Sequence, residues 1–174
     1  ESIEAIPTRE MGFYEKYVKR AIDIVCASAA IICFSPLYIG VAILVRFKLG
    51  SPVLFKQQRP GKNEKIFNMY KFRTMTDEKD SNGELLPDEM RLTSFGIFLR
   101  RTSCDELLEI FNILKGDMSF VGPRPEMMEN VTAYTEDLPE FKYRLRVKAG
   151  LTGYAKVHGK YSSSKENQFK MDFY

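Results

Sequence analysis

Histidine occurs once and cysteine three times in the 174 residues, and these shortages remove several functional classes at the outset. His158 cannot build a metal cluster alone. Cys26, Cys33 and Cys104 are too few and too scattered for a disulfide framework or a zinc site. The first two lie in an apolar run, where cysteine acts as a small hydrophobe, and a reducing compartment fits. Repeats and low-complexity stretches are missing as well. The formal net charge is only +3, and no nucleic-acid partner is expected.

What is present is enough for one ordinary domain with a real core. Apolar residues make up 44% and charged residues 28%, which excludes a disordered tail and a polytopic membrane protein. The charge is unevenly placed. Between Arg46 and Arg73 stand eight Lys/Arg against the single acid Glu64, whereas Asp77 to Glu89 holds six acids and one lysine. A basic block directly after an apolar run suits an anionic partner, phosphate groups or anionic lipid, unless it is simply a solvated face.

The apolar run, Ala21 to Val45, carries one charge, Asp23. As a straight helix it would measure roughly 37 Å, enough for a hydrocarbon core about 30 Å thick. It is too long for a secretory signal. Pro36 has no N–H for the carbonyl of Ile32, so a kink or break is required at Ser35-Pro36, with the Ser35 hydroxyl as a local partner for the freed backbone. Both flanks are basic (Lys16, Lys19 and Arg20 before, Arg46 and Lys48 after), and the positive-inside tendency places both in the cytoplasm. A re-entrant hairpin satisfies both observations, and a kinked span remains the alternative. Asp23, three and four residues from Arg20 and Lys19, is expected in a local ion pair.

The remainder predicts an α+β domain of short helices and a small antiparallel sheet. Strands are expected at 53–57 and 66–74, joined by the turn-forming Arg59–Lys65 stretch. A polar loop follows, then a short helix with Leu92, Phe95 and Leu99 on one face. A second helix begins after Ser103 and stops at Lys115-Gly116. Residues 119–126 are extended by two prolines around Arg124, 131–149 are weakly helical, and 150–160 are loop- or strand-like. The last stretch is expected to start a helix capped by Ser163 or Ser164.

Asp105-Glu106 admits two readings. Ser103-x-x-Glu106 has the spacing of a capping box, and acids in a first turn suit the helix dipole. The same placement near Arg100 and Arg101 would hold a carboxylate ionised and able to attack an electrophile, while its neighbour holds Mg²⁺, which takes one or two carboxylates plus phosphate oxygens. Arg124 suits bidentate phosphate binding, and Lys71 and Arg73 at a strand end can add to the cradle. One nucleophile, one metal ligand and several cations describe phosphoryl transfer.

The chain resembles the bacterial sugar transferase family, the monotopic phosphoglycosyl transferases. The matching pieces are "YVKRAIDI" leading to a run broken at "SP", "GSPVLFKQQRPGKNEKIFNMYKFRTM", "NGELLPDEMRLTSFGIFLRRTSCDELLEIFNILKGDMSFVGPRP" and "GLTGYAKVHGK". The resemblance implies transfer of a sugar-1-phosphate from a UDP-sugar to a polyprenyl (undecaprenyl) phosphate, the first membrane step of glycan assembly. It implies Asp105 as nucleophile, a phosphosugar-aspartyl intermediate, Glu106 as Mg²⁺ ligand, and Lys71, Arg100 and Arg124 facing phosphates. Asp172 matches an acidic family position. It also implies a re-entrant helix on the cytoplasmic face of the bacterial inner membrane, with membrane lipids among the partners. The oligomeric state is left open, a homodimer included. The expected organisation is an extension at 1–13, a membrane hairpin at 14–48, and a catalytic domain from 49 to 174 and beyond. The chain departs from the family's common Leu-Pro-Gln at Leu107-Leu108-Glu109 and from Arg-Pro-Gly at Lys148-Ala149-Gly150. Lys156, His158 and Lys160 stand where Gln, Asn and Arg are common. A family-derived binding module without catalysis, and a Mg²⁺-dependent membrane phosphohydrolase, are the alternatives.

Overall fold

The computed structural model describes residues 12–153 and Val157. A wide helical turn at Tyr14–Val18 leads into α1 (Lys19–Cys33), followed by α2 (Ser35–Leu49), strand β1 (Leu54–Pro60) and strand β2 (Ile66–Phe72). Next come α3 (Asp88–Arg91), α4 (Ser94–Arg101), a tight turn at Cys104–Leu108, and α5 (Glu109–Lys115). Strand β3 (Met118–Val121), α6 (Met128–Asp137), a run of tight turns at Pro139–Arg146 and strand β4 (Ala149–Thr152) complete the described fold. Lys156, His158, Lys160, Asp172 and the helix expected near Ser163 lie outside the described residues.

The apolar run is two helices. They meet at Phe34 and are bent by 63°. The Ser35 hydroxyl donates to the Ile32 carbonyl at 2.8 Å, taking up the acceptor that Pro36 cannot satisfy. Their inner faces form two cores. Ala27 of α1 packs with Phe67, Met69, Ile110, Ile113, Met118 and Ala149. Val41, Val45 and Leu49 of α2 pack with Phe72, Leu99 and Leu108. Their outer faces are bare: Ile32, Ile39 and Phe47 are exposed, the last at 84%. No single described helix is long and apolar enough to cross a membrane, although the bent pair together is.

Asp23 does not form the local ion pair its spacing predicts. It is 4% exposed, and its Oδ1 accepts from the Ser119 hydroxyl at 3.1 Å and the Phe120 N–H at 3.2 Å. Arg20 turns instead to the end of α5, donating to the carbonyls of Ile113 and Leu114 at 2.6 and 2.7 Å, two acceptors that a helix end leaves open. Lys19 donates to the Val121 carbonyl at 2.9 Å. Tertiary partners displaced the local ones because α1 lies against α5 and β3.

The expected antiparallel pair is present, with Leu54 opposite Phe72 and Pro60 opposite Ile66. The Gly61 N–H donates to the Lys65 carbonyl at 3.0 Å to close the turn. The outer edge of β2 is covered by one side chain. Asn112, fully buried, accepts from the Tyr70 N–H at 3.0 Å and donates to the Asn68 carbonyl at 2.7 Å, so α5 is keyed to an edge that would otherwise remain open. The sheet is not wholly antiparallel: β3 and β4 form a separate parallel pair, Met118 opposite Ala149. Their crossing permits only glycine. A Cβ on Gly150 would stand 2.2 Å from the Gly122 nitrogen, and one on Gly122 would stand 2.4 Å from the Lys148 carbonyl oxygen.

Candidate active site

Three segments converge on Glu106. β2 delivers Lys71 near its end, the turn at Cys104–Leu108 carries Asp105 and Glu106, and the segment after β3 supplies Arg124. That last segment is tied on both sides: Gly150 N–H donates to Pro123 O at 2.8 Å, and Arg144 donates to Arg124 O at 2.8 Å. Arg144 lies in turn over the Phe141 ring, 4.4 Å from its centroid. Two prolines and these bonds fix the backbone from which the Arg124 side chain reaches Glu106.

The capping box is not formed. Ser103 adopts a left-handed conformation with φ 54° and its side chain makes no cap. The Glu106 N–H donates to the Ser103 backbone carbonyl at 3.1 Å instead. The Glu106 side chain is thereby free to face the other way. Its Oε1 lies 2.9 Å from Lys71 Nζ and also meets Arg124 Nη2, while Oε2 accepts from Arg124 Nη1 at 3.3 Å. Burial pushes Glu106 upward, but the Arg124 hydrogen bond and the attraction of Arg124 and Lys71 outweigh it and hold its pKa at about 2.

Asp105 is in the opposite condition. It is buried, and burial raises its pKa above the ordinary carboxylate value, with the neighbouring Glu106 charge adding to the rise and Lys71 and Arg100 opposing it. The expectation that Arg100 and Arg101 hold the attacking carboxylate ionised is not met at Asp105, whose burial outweighs them, and the acid held ionised is Glu106, through Arg124 and Lys71. One carboxylate is pinned as a permanent anion, and the other is desolvated and more basic. Adjacent acids pushed apart in this way are a pattern of reactive sites.

The remaining predicted residues separate. Arg100, on α4 whose N-terminus is capped by Thr93, donates to the Thr74 hydroxyl at 3.1 Å and acts on Asp105 through its charge. Arg73 is not aimed at this cluster. Its guanidinium donates to Met75 O at 2.7 Å and Ser51 O at 2.6 Å and pairs with Asp77, so it locks the exit of β2. Ser35 and Pro36 stand at the bend between α1 and α2. Glu109, the departure from the family's common glutamine, is a member the sequence reading did not place. Its Oε1 lies 3.5 Å from Lys71 Nζ, and burial together with the Glu106 charge raises its pKa. Its three-residue spacing from Glu106 was the available signal, since such positions eclipse on a tight helical turn.

Among the described residues no group of three or more His, Cys, Asp or Glu side chains is placed to hold a metal ion. Glu106 is the ionised carboxylate that a magnesium site completed by phosphate oxygens and water would use, and here both of its oxygens meet Lys71 or Arg124.

Comparison with known proteins places the chain in a family. The bacterial sugar transferase family matches residues 14–174, and the chain belongs to that family. It is 48% identical over 155 residues to a Bacillus subtilis protein named as uncharacterized sugar transferase EpsL, covering 89% of this chain and 75% of the relative. It is 39% identical over 163 residues to the UDP-N-acetylgalactosamine-undecaprenyl-phosphate N-acetylgalactosaminephosphotransferase of Aeromonas hydrophila, covering 91% and 38%. It is 36% identical over 146 residues to the UDP-glucose:undecaprenyl-phosphate glucose-1-phosphate transferase of Escherichia coli, covering 83% and 32%. The chain thus spans three quarters of one relative and about a third of the others.

Proposed function

We infer that this chain is a sugar-1-phosphate transferase acting between a UDP-sugar and undecaprenyl phosphate. The observation that carries the reading is the contrast at Asp105-Glu106, one acid buried with a raised pKa and the next held ionised between Lys71 and Arg124. The names of the Aeromonas and Escherichia relatives supply the substrate classes.

In this mechanism an Asp105 carboxylate oxygen attacks the phosphorus that bears the sugar. An Asp–O–P bond forms as the phosphoanhydride bond breaks, and UMP leaves with the bonding pair. A phosphate oxygen of the lipid then attacks the same phosphorus, and the carboxylate departs unchanged. Desolvation keeps Asp105 reactive, while Lys71 and Arg124 stand ready to neutralise charge on the transferred group. Both now contact Glu106, so a phosphate entering the site exchanges one partner of each cation for another. Glu106 would hold Mg²⁺, which when bound supplies further charge neutralisation.

The bent helix pair supports a re-entrant anchor on the cytoplasmic face of the inner membrane. The start of α1 is tied to α5 and β3 through Arg20 and Asp23, and the end of α2 is buried through Val45 and Leu49 against the same body. A spanning segment would part these two ends by the thickness of the membrane.

The test is UMP release from a panel of UDP-sugars with Mg²⁺, with and without undecaprenyl phosphate, on the wild type and Asp105→Asn. Lipid-dependent release that disappears in the variant is the expected result. Release that needs no lipid would make water the acceptor and the protein a phosphohydrolase, and no release from any donor would leave a binding module.

A further inference from the structure

Beside the Lys71–Glu106–Arg124 cluster lies a cavity of about 110 Å³, lined by Arg59, Glu109, Arg124, Glu126 and Asn130 with Met69 as an apolar wall. Only Arg124 among these is used in the transfer step. Arg59 is nine-tenths buried. Its Nη2 donates to Gln57 Oε1 at 2.7 Å, but its buried Nε has no hydrogen-bond partner among the described residues. Glu109, 2% exposed, has an Oε1 that makes no hydrogen bond and only the 3.5 Å ion pair with Lys71. Buried polar atoms of native proteins are nearly always satisfied. Arg59 and Glu109 thus bring to the lining of one polar cavity a guanidinium and a carboxylate that each carry a covered atom with unused hydrogen-bonding capacity.

Charge and size narrow the ligand. Two guanidinium groups and two carboxylates in the lining cancel, so the cavity offers no net attraction to a phosphate. It suits a neutral group that both donates and accepts. Its volume equals that of roughly three to four water molecules, room for the hydroxyl-bearing edge of a sugar ring but not for a whole hexose or a nucleotide. Position decides the rest. Arg124 both lines the cavity and donates to Glu106, which sets the cavity one side chain away from the carboxylates. In a nucleotide sugar, the group bonded directly to the attacked phosphate is the sugar, whereas the base stands beyond a second phosphate and a ribose.

We propose that this cavity is the sugar subsite: the Glu109 carboxylate, the Arg59 guanidinium and the Asn130 amide, which line it, meet the hydroxyls along one edge of the sugar ring. These residues select which sugar is transferred. The proposal rests on the transferase reading and names its specificity-determining residues.

The test compares binding of UDP with that of UDP-hexoses differing at single hydroxyls, by titration calorimetry on the full chain in nanodiscs with Mg²⁺. The proteins are the wild type, Glu109→Gln, Arg59→Lys and Asn130→Ala, the last a half-buried position whose truncation leaves the core intact. The expected result is that the preferred UDP-sugar weakens about tenfold or more while UDP is unchanged, and that the ranking of hexoses alters. Equal weakening of UDP and UDP-sugar would overturn the proposal in favour of a nucleotide site. Unchanged affinities in Glu109→Gln and Asn130→Ala would show that the cavity binds nothing in the donor. UMP release by the wild type is scored separately, so a chain that discriminates sugars through these residues but releases no UMP defeats the transferase reading and leaves the subsite standing.

Discussion

Lys71 Nζ stands 2.9 Å from Glu106 and 3.5 Å from Glu109, one ammonium shared by a half-buried and a buried acid whose pKa values move in opposite directions. The acid nearer the cation, which also has Arg124, is held down. The other, left with the weaker contact, bears the cost of burial and of its neighbour's charge. Removing Glu106 would therefore leave two cations short of a partner.

Glu106→Gln is expected to destabilise the fold by about 3 kcal/mol near neutral pH, the linkage value of a carboxylate held near pKa 2 instead of its ordinary 4.5. The sign follows from the lowered pKa: the stabilisation is fully present above about pH 5 and is lost as pH falls through about 2. Urea unfolding of both proteins between pH 7 and pH 2 checks this. The gap between them should shrink steadily in acid, and a constant gap would show that the charge of Glu106 does not cause it.

Asp105→Asn should lower UMP release by at least about 10³-fold, as removal of a nucleophile does, and yet raise Tm. Burial raises the Asp105 pKa, so its stabilising form is the protonated one, favoured in acid and lost as pH rises through the folded pKa. A neutral amide removes that penalty. Calorimetric scans from pH 8 down through the ordinary carboxylate range should show the gain in Tm shrinking in acid, and a variant less stable than the wild type at pH 8 would refute the assignment.

Asp23→Ala leaves the Ser119 hydroxyl and Phe120 N–H without their buried acceptor, a loss of about 2–3 kcal/mol. Asn112→Ala should cost a similar amount, since it uncovers the Tyr70 N–H and Asn68 carbonyl at the edge of β2. Chemical denaturation of each variant gives these values directly, and Asp23→Asn, which keeps a carbonyl oxygen, should recover part of the first.

Cysteine reporters at Lys16 and Lys48, both exposed, should react with a membrane-impermeant maleimide from the same side of sealed vesicles once the native cysteines are replaced. Labelling from opposite sides would make the helix pair a span.

Much of this was legible because it was local. The hairpin turn between β1 and β2 and the break at Ser35-Pro36 follow from residues near one another in sequence, whereas Lys71, Glu106 and Arg124, 35 and 18 residues apart, were marked by residue type alone. The parallel pairing of β3 with β4 was not legible, because it depends on a close glycine crossing between distant segments. Asp23 shows the same limit from another side: its basic neighbours were three and four residues away, while its true partner, Ser119, was 96 residues away. The Ser103-x-x-Glu106 spacing suits a capping box so well that only the left-handed backbone at Ser103 reveals the glutamate's other engagement. Arg59 and Glu109, from a strand and a helix far apart in the chain, give no sequence sign that they share a cavity.

Arg20, clasping the last carbonyls of α5, has a mechanical consequence. Helix α5 begins at Glu109, directly after the turn that carries Asp105 and Glu106, so α1 and the reactive carboxylates are geared together through one short rod. On the proposed re-entrant anchor, a tilt of α1 would therefore be passed through α5 to the turn that holds the acids. The attitude of the anchor would then set the height at which a lipid phosphate meets Asp105.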